Sequence, residues 1–298
     1  MDEIRNNLAA LIVTYNRKEM LSKCLHALFE QDINDFDIVV VDNASSDGTQ
    51  ELIQQIDNER VLYFNTGANL GGAGGFSYGV KKCYDLGYDY CWMMDDDTLP
   101  HKSAISSMIK KIQLIDASYL CSRVVWTDGK ACSMNTPPTA KRGCFYNEDS
   151  LNLHLIEIQG CSFVSCLIKM KYIKLAGLPI ADFFIYGDDV EFTRRLESFA
   201  GGYIDLDSVV THAMPNNNLA NIVNCEKERV ERYRYGVRNN VYIQRKIENM
   251  NLLQIIVQML KNVFVILLRS RDSKMKRIRV LISSTFSGLF FNPTIERV

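Results

Sequence analysis

Apolar residues in the first half of the chain occur in short continuous runs that alternate with helically spaced ones. Residues 8–14 (LAALIVT) and 39–41 (VVV) are nearly continuous runs, which are typical of interior strands in a sheet covered on both faces. Between them, apolar residues recur at helical spacing: Met20, Leu21, Cys24, Leu25, Leu28 and Phe29. This segment therefore predicts a strand, a helix and a second strand.

The same alternation continues towards residue 210. It predicts helices at 49–56, 78–86 and 103–114, and strands at 61–64, 88–94, 119–126 and 203–210, with further ordered structure at 156–168. Strands that alternate with helices predict an α/β fold with a Rossmann-like, mostly parallel, doubly wound sheet. Ligands of such sheets bind beyond the carboxyl ends of the strands, so we expect the functional residues there.

In the last part of the chain, a long helical pattern runs from residue 224 to residue 246, and a second helical pattern follows at 252–268. We predict an α/β domain over residues 1–220 and a helical extension over 221–298. Within the extension, residues 252–268 are apolar apart from Gln254, Gln258, Lys261 and Asn262, which share one helical face. This pattern favours an amphipathic helix over a membrane span.

A basic cluster follows that helix. It consists of Arg269, Arg271, Lys274, Lys276, Arg277 and Arg279. An apolar helix beside basic residues is typical of a protein that lies on an anionic membrane surface. A packed helical subdomain with a solvated charged face, or a homo-oligomer contact, explains the pattern equally well.

Composition limits the classes of partner. Over 298 residues, 34 Lys and Arg balance 35 Asp and Glu, so no overall positive field indicates a nucleic-acid partner. The nine cysteines form no Cys-x-x-Cys pair and are interpreted as reduced core residues of a cytoplasmic protein. The charged residues 1–5 give no secretory signal. Residues 127–150, rich in Gly, Pro, Asn and charge, predict an exposed, mobile loop over the site.

Three consecutive carboxylates, Asp95, Asp96 and Asp97, follow the predicted strand at 88–94. Crowded carboxylates repel one another, and their pKa values rise unless a cation offsets the charge. Oxygen ligands of this kind suit Mg²⁺ or Mn²⁺, ions that are usually shared with substrate phosphates. Acidic residues at a helix N-terminus would explain one or two of the three. The triplet is therefore a candidate cation site.

Two other predicted strand ends carry polar residues. Residues 14–17 (TYNR) follow the first strand, and residues 42–48 (DNASSDG) follow the second. Loops at these ends converge on one crevice, which would suit a nucleotide. Asp42 could accept hydrogen bonds from a base or ribose, and Arg17 could stack on a base or bind phosphate. A turn closed by Asp47 and Gly48 is the simpler explanation of residues 42–48.

Residues 65–76 contain five glycines. Glycine lets the backbone approach a ligand closely and can open a helix towards an anion. No Walker-type Gly-Lys-Ser/Thr follows, and the segment is not in the first βα turn, where the dinucleotide fingerprint lies. A merely flexible loop remains the alternative.

A second acidic stretch lies at residues 183–192 (FFIYGDDVEF). Its aromatic rings suit sugar rings, and Asp188 or Asp189 could deprotonate a hydroxyl or could simply cap the following helix. His212 ends the predicted strand at 203–210. A lone histidine is usually structural, but if this strand returns beside the Asp triplet, His212 would complete the metal site.

In this order, the motifs resemble the inverting glycosyltransferases of family 2, which have the GT-A fold. The matches are TYNR at 14–17, VDNAS at 41–45 with Asp47 and Gly48, NLGGAGG at 69–75, the Asp triplet, GDDVE at 187–191, and His212. The glycine run followed by Phe76, together with the triplet, is most similar to bacterial galactofuranosyltransferases. Rhamnosyltransferases are near neighbours, and residues 235–240 (YGVRNN) are similar to a helix of both groups.

The resemblance implies roles for the matching residues. The nucleotide-sugar would be bound by Thr14, Arg17, Asp42, Asn69, Gly71, Gly72 and Asp96, the acceptor by Tyr186 and Asp188, and Mn²⁺ or Mg²⁺ by Asp95, Asp97 and His212, with Asp189 as the catalytic base. The chain is shorter at both ends than the galactofuranosyl polymerases, which argues against processive polymerisation.

The resemblance also implies substrates. We expect transfer of galactofuranose from UDP-galactofuranose to a glycan or lipid-linked acceptor in cell-surface polysaccharide synthesis, at the inner face of the membrane; rhamnose from dTDP-rhamnose is the alternative. A sugar-1-phosphate nucleotidyltransferase would carry a Gly-rich basic loop after the first strand, where residues 15–19 read YNRKE. A non-catalytic nucleotide-sugar-binding module would not need Asp189.

Overall fold

The computed structural model describes residues 7–56, 58–139, 148–218 and 221–298. The expectations for residues 1–5, for part of the predicted loop (140–147) and for the exact domain boundary at 220 lie outside these ranges. The division into two domains stays a prediction.

The described residues form a mixed α/β structure. The strands are β1 (Leu8–Thr14), β2 (Asp37–Asp42), β3 (Val61–Asn65), β4 (Tyr90–Asp95), β5 (Thr98–Pro100), β6 (Ala117–Trp126), β7 (Leu155–Ile158), β8 (Cys166–Lys169) and β9 (Gly201–His212). The α-helices are α1 (Lys18–Phe29), α2 (Thr49–Gln55), α3 (Gly71–Asp85), α4 (Ala104–Ile112), α5 (Glu148–Asn152), α6 (Ile173–Ala176), α7 (Asp188–Glu197), α8 (Tyr233–Lys246), α9 (Leu252–Arg269) and α10 (Lys274–Phe290).

All the strands belong to one sheet, in the order β3-β2-β1-β4-β8-β6-β9-β5, with β7 also paired to β9. Neighbours are parallel from β3 through β4 and between β6 and β9. β8 runs antiparallel between β4 and β6, and β5 and β7 run antiparallel to β9. The predicted fold class is confirmed, and the sheet is mixed beyond β4.

The continuous apolar runs are explained by cores on both faces of the sheet. β1 is buried at all 7 positions. Ala10 and Ile12 pack into one core with residues of α1 and α4. Leu11 and Val13 face the other core, which includes residues of α3 and α7. The eight cysteines among the described residues are free and buried, in agreement with the interpretation from the sequence.

Strand register brings the predicted strand ends together. Thr14 lies opposite Asp42, and Val13 lies opposite Asp95. On the far side of the sheet, β5 pairs Thr98 with His212. The strand that ends at His212 therefore returns beside the Asp triplet, which was the condition for its proposed role.

The C-terminal helices pack through a buried arginine. Arg277 on α10 is only 1% exposed and donates hydrogen bonds to the carbonyl oxygens of Ile222 and Cys225 and to Asp272. The sequence pattern assigns Arg277 to an exposed basic cluster and does not predict α10. That assignment of Arg277 is wrong, because its guanidinium satisfies the carbonyl groups of a buried chain segment.

We expect Arg277→Met to destabilise the protein by about 2 kcal/mol, because two carbonyl oxygens lose their charged donor. Urea unfolding followed by circular dichroism measures this change. Arg279→Met, on an exposed residue of the same helix, is the matched control. Equal unfolding free energies for the two variants would contradict the structural role.

Candidate active site

The three carboxylates of the triplet lie at the carboxyl end of β4. Asp95 is the last residue of the strand, and Asp96 and Asp97 form the turn into β5. One potential ligand atom from each of Asp95, Asp97 and His212 lies within 4.8 Å of the others. His212 Nε2 lies 3.1 Å from Asp97 Oδ1. Two neighbouring ligands of one octahedral ion are separated by about 3 Å, so the donor set and its spacing fit Mn²⁺ or Mg²⁺.

The other ring nitrogen of His212 is held by Asn135. His212 Nδ1 lies 2.8 Å from Asn135 Oδ1, which is an acceptor, so Nδ1 carries a proton. Asn135 is fixed in turn by a hydrogen bond from its Nδ2 to Ser162 Oγ. When Nδ1 carries the only proton of the ring, the lone pair of Nε2 points towards Asp97 Oδ1, which is also an acceptor. Two acceptors at this distance need a proton or a cation between them. The hydrogen bond to Asn135 therefore prepares Nε2 as a metal ligand.

The carboxylates have divergent proton affinities. Burial and the charge of Asp97 raise the pKa of Asp95 to about 7. Burial opposes ionisation of Asp97 too, but His212 and Arg17 outweigh it and lower the pKa of Asp97 to about 2. The site thus contains more negative charge than its protein partners neutralise, and a divalent cation would relieve this repulsion.

Two residues of the first strand end hold the triplet. Thr14 Oγ1 donates to Asp96 Oδ2 at 2.8 Å. Arg17 pairs with Asp96 through Nη1 and with Asp97 through Nη2, each at 2.9 Å. Arg17 remains partly exposed, with 41% of its side-chain surface accessible. Thr14, Arg17 and Asp96, which the sequence assigned to the nucleotide-sugar, therefore form one connected group.

The second strand end is packed more tightly than the sequence suggested. Asp42 is fully buried, and its oxygens accept hydrogen bonds from the Tyr63 hydroxyl and the backbone N–H of Ser45. Its neighbour Asn43, which had no assigned role, donates to the Gly71 carbonyl. Asn43 Oδ1 is buried without a hydrogen-bond partner among the described residues. It is an acceptor that a ligand could satisfy, whereas the role of Asp42 in binding stays a prediction.

The glycine-rich segment has two separate functions in the fold. Gly71 has φ +72°, and a Cβ there would lie 2.1 Å from the carbonyl oxygen of Phe184. Gly75, within α3, allows the helix to approach β1, because a Cβ there would lie 2.5 Å from Val13 Cγ1. The segment opens α3 at Gly71, so the helix starts earlier than predicted. Asn69 Oδ1 accepts from the Gly71 N–H at that start.

The aromatic segment before α7 is held in a bent conformation from α8. Phe184 and Tyr186 have φ values of +61° and +70°. Asn239 Nδ2 donates to the carbonyl oxygens of Phe183, Ile185 and Tyr186. The Tyr186 ring stacks on Tyr233, with centroids 5.2 Å apart. Asn239 belongs to the YGVRNN motif, so this motif shapes the wall on which Tyr186 lies.

The two acids of α7 differ in exposure. Asp188 is buried, and burial together with the charge of Asp189 raises its pKa well above the ordinary value. Asp189 is partly exposed, and burial raises its pKa to about 6. The charge of Asp189 also contributes, as the smallest of the causes, to the raised pKa of Asp95. An acid with a pKa near 6 is ionised at neutral pH and can accept a proton.

Most of these residues line a cleft of about 1610 Å³, which continues to the C-terminal helices. Its lining includes Thr14, Arg17, Asn69, Gly71, Gly72, the Asp triplet, Tyr186 and His212. Asp42, Asp188 and Asp189 are not among the described residues that line it. Its far end is lined by residues 221–226, α8, α9 and α10.

The sheet, with an acidic cluster and a histidine at its carboxyl edge, is the GT-A architecture of nucleotide-sugar transferases. Two solved structures share it. GalNAc-T7 with UDP, GalNAc and Mn²⁺ has a TM-score of 0.59 at 14% identity, over 82% of this chain and 50% of that one. The mannosyltransferase PcManGT of Pyrobaculum calidifontis, in complex with GDP-Man and Mn²⁺, has a TM-score of 0.57 at 14% identity, over 96% and 76%.

Residues 9–174 match the model of glycosyl transferase family 2, and the chain belongs to this family. A relative is the galactofuranosyltransferase GlfT1 of Mycolicibacterium smegmatis, which is 28% identical over 204 residues. The match covers 63% of this chain and 65% of that protein, so the chain spans slightly less than two thirds of the length of this relative. The family resemblance drawn from the motifs is confirmed.

Asn135 is a site residue that the sequence did not reveal, because it lies in the segment predicted to be a mobile loop. We expect Asn135→Leu to weaken Mn²⁺ binding about 10–100-fold, since His212 loses the acceptor that fixes its tautomer. The electron paramagnetic resonance signal of free Mn²⁺ measures this affinity without substrate. Asn135→Asp keeps an acceptor oxygen and should bind as the wild type does. If Asn135→Leu bound Mn²⁺ equally tightly, Asn135 would have no positioning role.

Proposed function

We propose that this protein is a metal-dependent, inverting glycosyltransferase that moves a sugar from a nucleotide-sugar to a hydroxyl of a glycan acceptor. The observation that carries the proposal is the convergence of Asp95, Asp97 and His212 at the carboxyl edge of the sheet, with the partly exposed Asp189 on a separate element, α7. A cation site and a separate base are the two groups that such a displacement needs.

We assign the metal to Asp95, Asp97 and His212. A bound Mn²⁺ or Mg²⁺ would supply Lewis-acid stabilisation of the departing nucleoside diphosphate. The carboxylate and imidazole donors suit this ion, and Mn²⁺ is present in the related structures of GalNAc-T7 and PcManGT. Asn135 keeps His212 in the required tautomer.

We assign the donor to the groups around the first strand ends. Thr14, Arg17 and Asp96 form the connected group beside the metal residues, and Arg17 is exposed enough to meet phosphate oxygens. Asn69, Gly71 and Gly72 line the same cleft at the start of α3, and Asp42 supports the loop beneath. The similarity to GlfT1 favours UDP-galactofuranose, and dTDP-rhamnose is the alternative donor.

We assign the proton transfer to Asp189. Its carboxylate takes the proton of the acceptor hydroxyl while that oxygen attacks the anomeric carbon and the bond to the diphosphate oxygen breaks on the opposite face. The configuration at the anomeric carbon is therefore inverted. Tyr186, which lines the cleft, would offer a ring face to the acceptor sugar, and the buried Asp188 would support this end of the acceptor site.

The donor is tested by incubating the protein with Mn²⁺ and a panel of UDP- and dTDP-sugars. We expect UDP-galactofuranose to raise the thermal midpoint most and to release UDP when a galactoside acceptor is added. The same panel with EDTA is the control, because the carboxylates cannot neutralise the diphosphate alone. Stabilisation by dTDP-rhamnose alone would overturn the donor assignment, and no response to any nucleotide-sugar would overturn the proposed function.

Asp189→Asn should lower turnover about 10²–10⁴-fold, the usual contribution of a general base, while donor affinity changes little. In the wild type, kcat/KM at saturating Mn²⁺ should rise with pH through about 6, because Asp189 must lose its proton before it can accept one. Asp182→Asn, on an exposed acid of the preceding segment, is the matched control. Wild-type turnover by Asp189→Asn would move the base to another residue.

A further inference from the structure

Helix α9 presents two opposite faces to different surroundings. The inner face lines the cleft or is buried, at Ile255, Gln258, Met259, Asn262, Ile266 and Arg269. The outer face is apolar and exposed, at Leu253, Val257, Leu260, Phe264, Leu267 and Leu268. At 100° per residue the two sets lie on opposite sides of the helix. The helix is therefore a thin wall between the cleft and the outside.

The outer face is too exposed for a helix of a soluble core. Leu253, Leu260, Phe264 and Leu268 are 69%, 57%, 61% and 66% exposed. By length and composition, Leu252–Arg269 could cross a membrane, and only 11% of it is buried. A contiguous apolar strip of this size marks an interaction surface.

Both ends of α9 are attached to the same body. Ile255 and Ile266, near opposite ends of the helix, are 2% and 0% exposed. Just beyond the C-terminal end, Ser270 Oγ donates to the Val223 carbonyl, and Arg277 of α10 binds the neighbouring carbonyls of Ile222 and Cys225. A crossing helix would leave its ends on opposite sides of the bilayer, so this packing requires α9 to lie along a surface.

The charge around the strip indicates which surface this is. Residues 252–279 contain seven basic residues and one acid, Asp272, which pairs with the buried Arg277. Lys276 is engaged with Glu231. The exposed basic residues outside the inner face of α9 are Lys261, Arg271, Lys274 and Arg279. A second copy would bring the same positive charges into contact, whereas anionic lipid headgroups complement them.

We propose that the outer face of α9 inserts into the interface of an anionic bilayer, with the helix axis along the membrane plane. In this orientation, the wall of the cleft formed by α9 and the far end of the cleft lie at the lipid surface. We also infer that the acceptor is a glycan carried on a membrane lipid. This second part rests on the proposed transferase function, whereas membrane binding does not. The anchored end of such an acceptor would lie in the bilayer while its glycan extends along the cleft towards Tyr186, which lines it.

Vesicle flotation of the full chain, without donor or acceptor, tests whether the protein binds an anionic membrane. We expect binding to phosphatidylcholine vesicles that contain phosphatidylglycerol, and much weaker binding to phosphatidylcholine alone. Arg271→Gln with Lys274→Gln should weaken binding to the anionic vesicles about 30-fold, from ~1 kcal/mol for each basic residue at the surface. No vesicle binding by the wild type would overturn the proposal.

The strip is tested with Leu260→Asp combined with Phe264→Asp. We expect this variant to lose vesicle binding while its thermal midpoint and UDP-sugar binding remain those of the wild type. Leu114→Asp combined with Leu175→Asp changes two exposed apolar residues elsewhere and should float normally. Unchanged flotation of the α9 variant would overturn the proposal. The proposal would also be overturned if the wild type bound no vesicles and formed a dimer that this variant converts to a monomer.

Phe264→Trp supplies a readout that does not depend on a disruptive change. Its emission should shift to the blue on anionic vesicles and be quenched by lipids brominated near the headgroup. Quenching by lipids brominated deep in the hydrocarbon, together with resistance of the protein to extraction at alkaline pH, would indicate a helix that crosses the membrane. This result would overturn the proposed orientation along the membrane plane.

The acceptor class is tested by transfer to a lipid-linked glycan in vesicles and to the same glycan free in solution. The Leu260→Asp, Phe264→Asp variant should lose about tenfold or more of the first rate and keep the second. Equal loss of both rates would overturn the acceptor assignment. Flotation measures membrane binding without any sugar transfer. A failure of the proposed function can therefore be distinguished from a failure of membrane binding.

Discussion

Mutual repulsion among three carboxylates at the end of one strand is the constraint that the rest of the site satisfies. Thr14 and Arg17 approach Asp96 and Asp97 from the end of β1, and His212 approaches Asp97 from the end of β9. Each of these contacts depends on strand register, since β1 pairs with β4 and β5 pairs with β9. The sheet therefore brings the partners of the triplet from distant parts of the chain to one point.

Much of the first half of the fold could be predicted, because its strands are buried on both faces and read as continuous apolar runs. The bounds of β1 agree with the structure, and those of β2 and β3 differ by a few residues. The antiparallel insertion of β8 could not be predicted, since a short apolar segment does not specify its partner. α10 was missed for a different reason: its basic residues suggested solvent, while Arg277 is in fact bound to buried carbonyl groups.

The candidate site was predictable where the residue type itself carries the chemistry, as in the Asp triplet. It was not predictable where a residue acts through another. Asn135 fixes His212 from a segment of loop-like composition, and Asn239 shapes the wall at Tyr186 through three backbone carbonyl groups. Neither spacing nor composition marks such residues. The glycine-rich segment shows the opposite difficulty, because Gly75 is required by packing against Val13 as much as by any ligand.

The pairing of Arg17 with Asp96 and Asp97 has a consequence for the order of events at the site. Arg17 is an internal counter-ion of Asp96 and Asp97. A divalent ion held by Asp97 would offset the same negative charge, and the guanidinium would then be available to a phosphate group of a nucleotide-sugar. The affinities for cation and nucleotide-sugar would be positively coupled, and by thermodynamic reciprocity each ligand would strengthen the binding of the other by the same factor. One arginine would in this way make the two ligands cooperative without any rearrangement of the sheet.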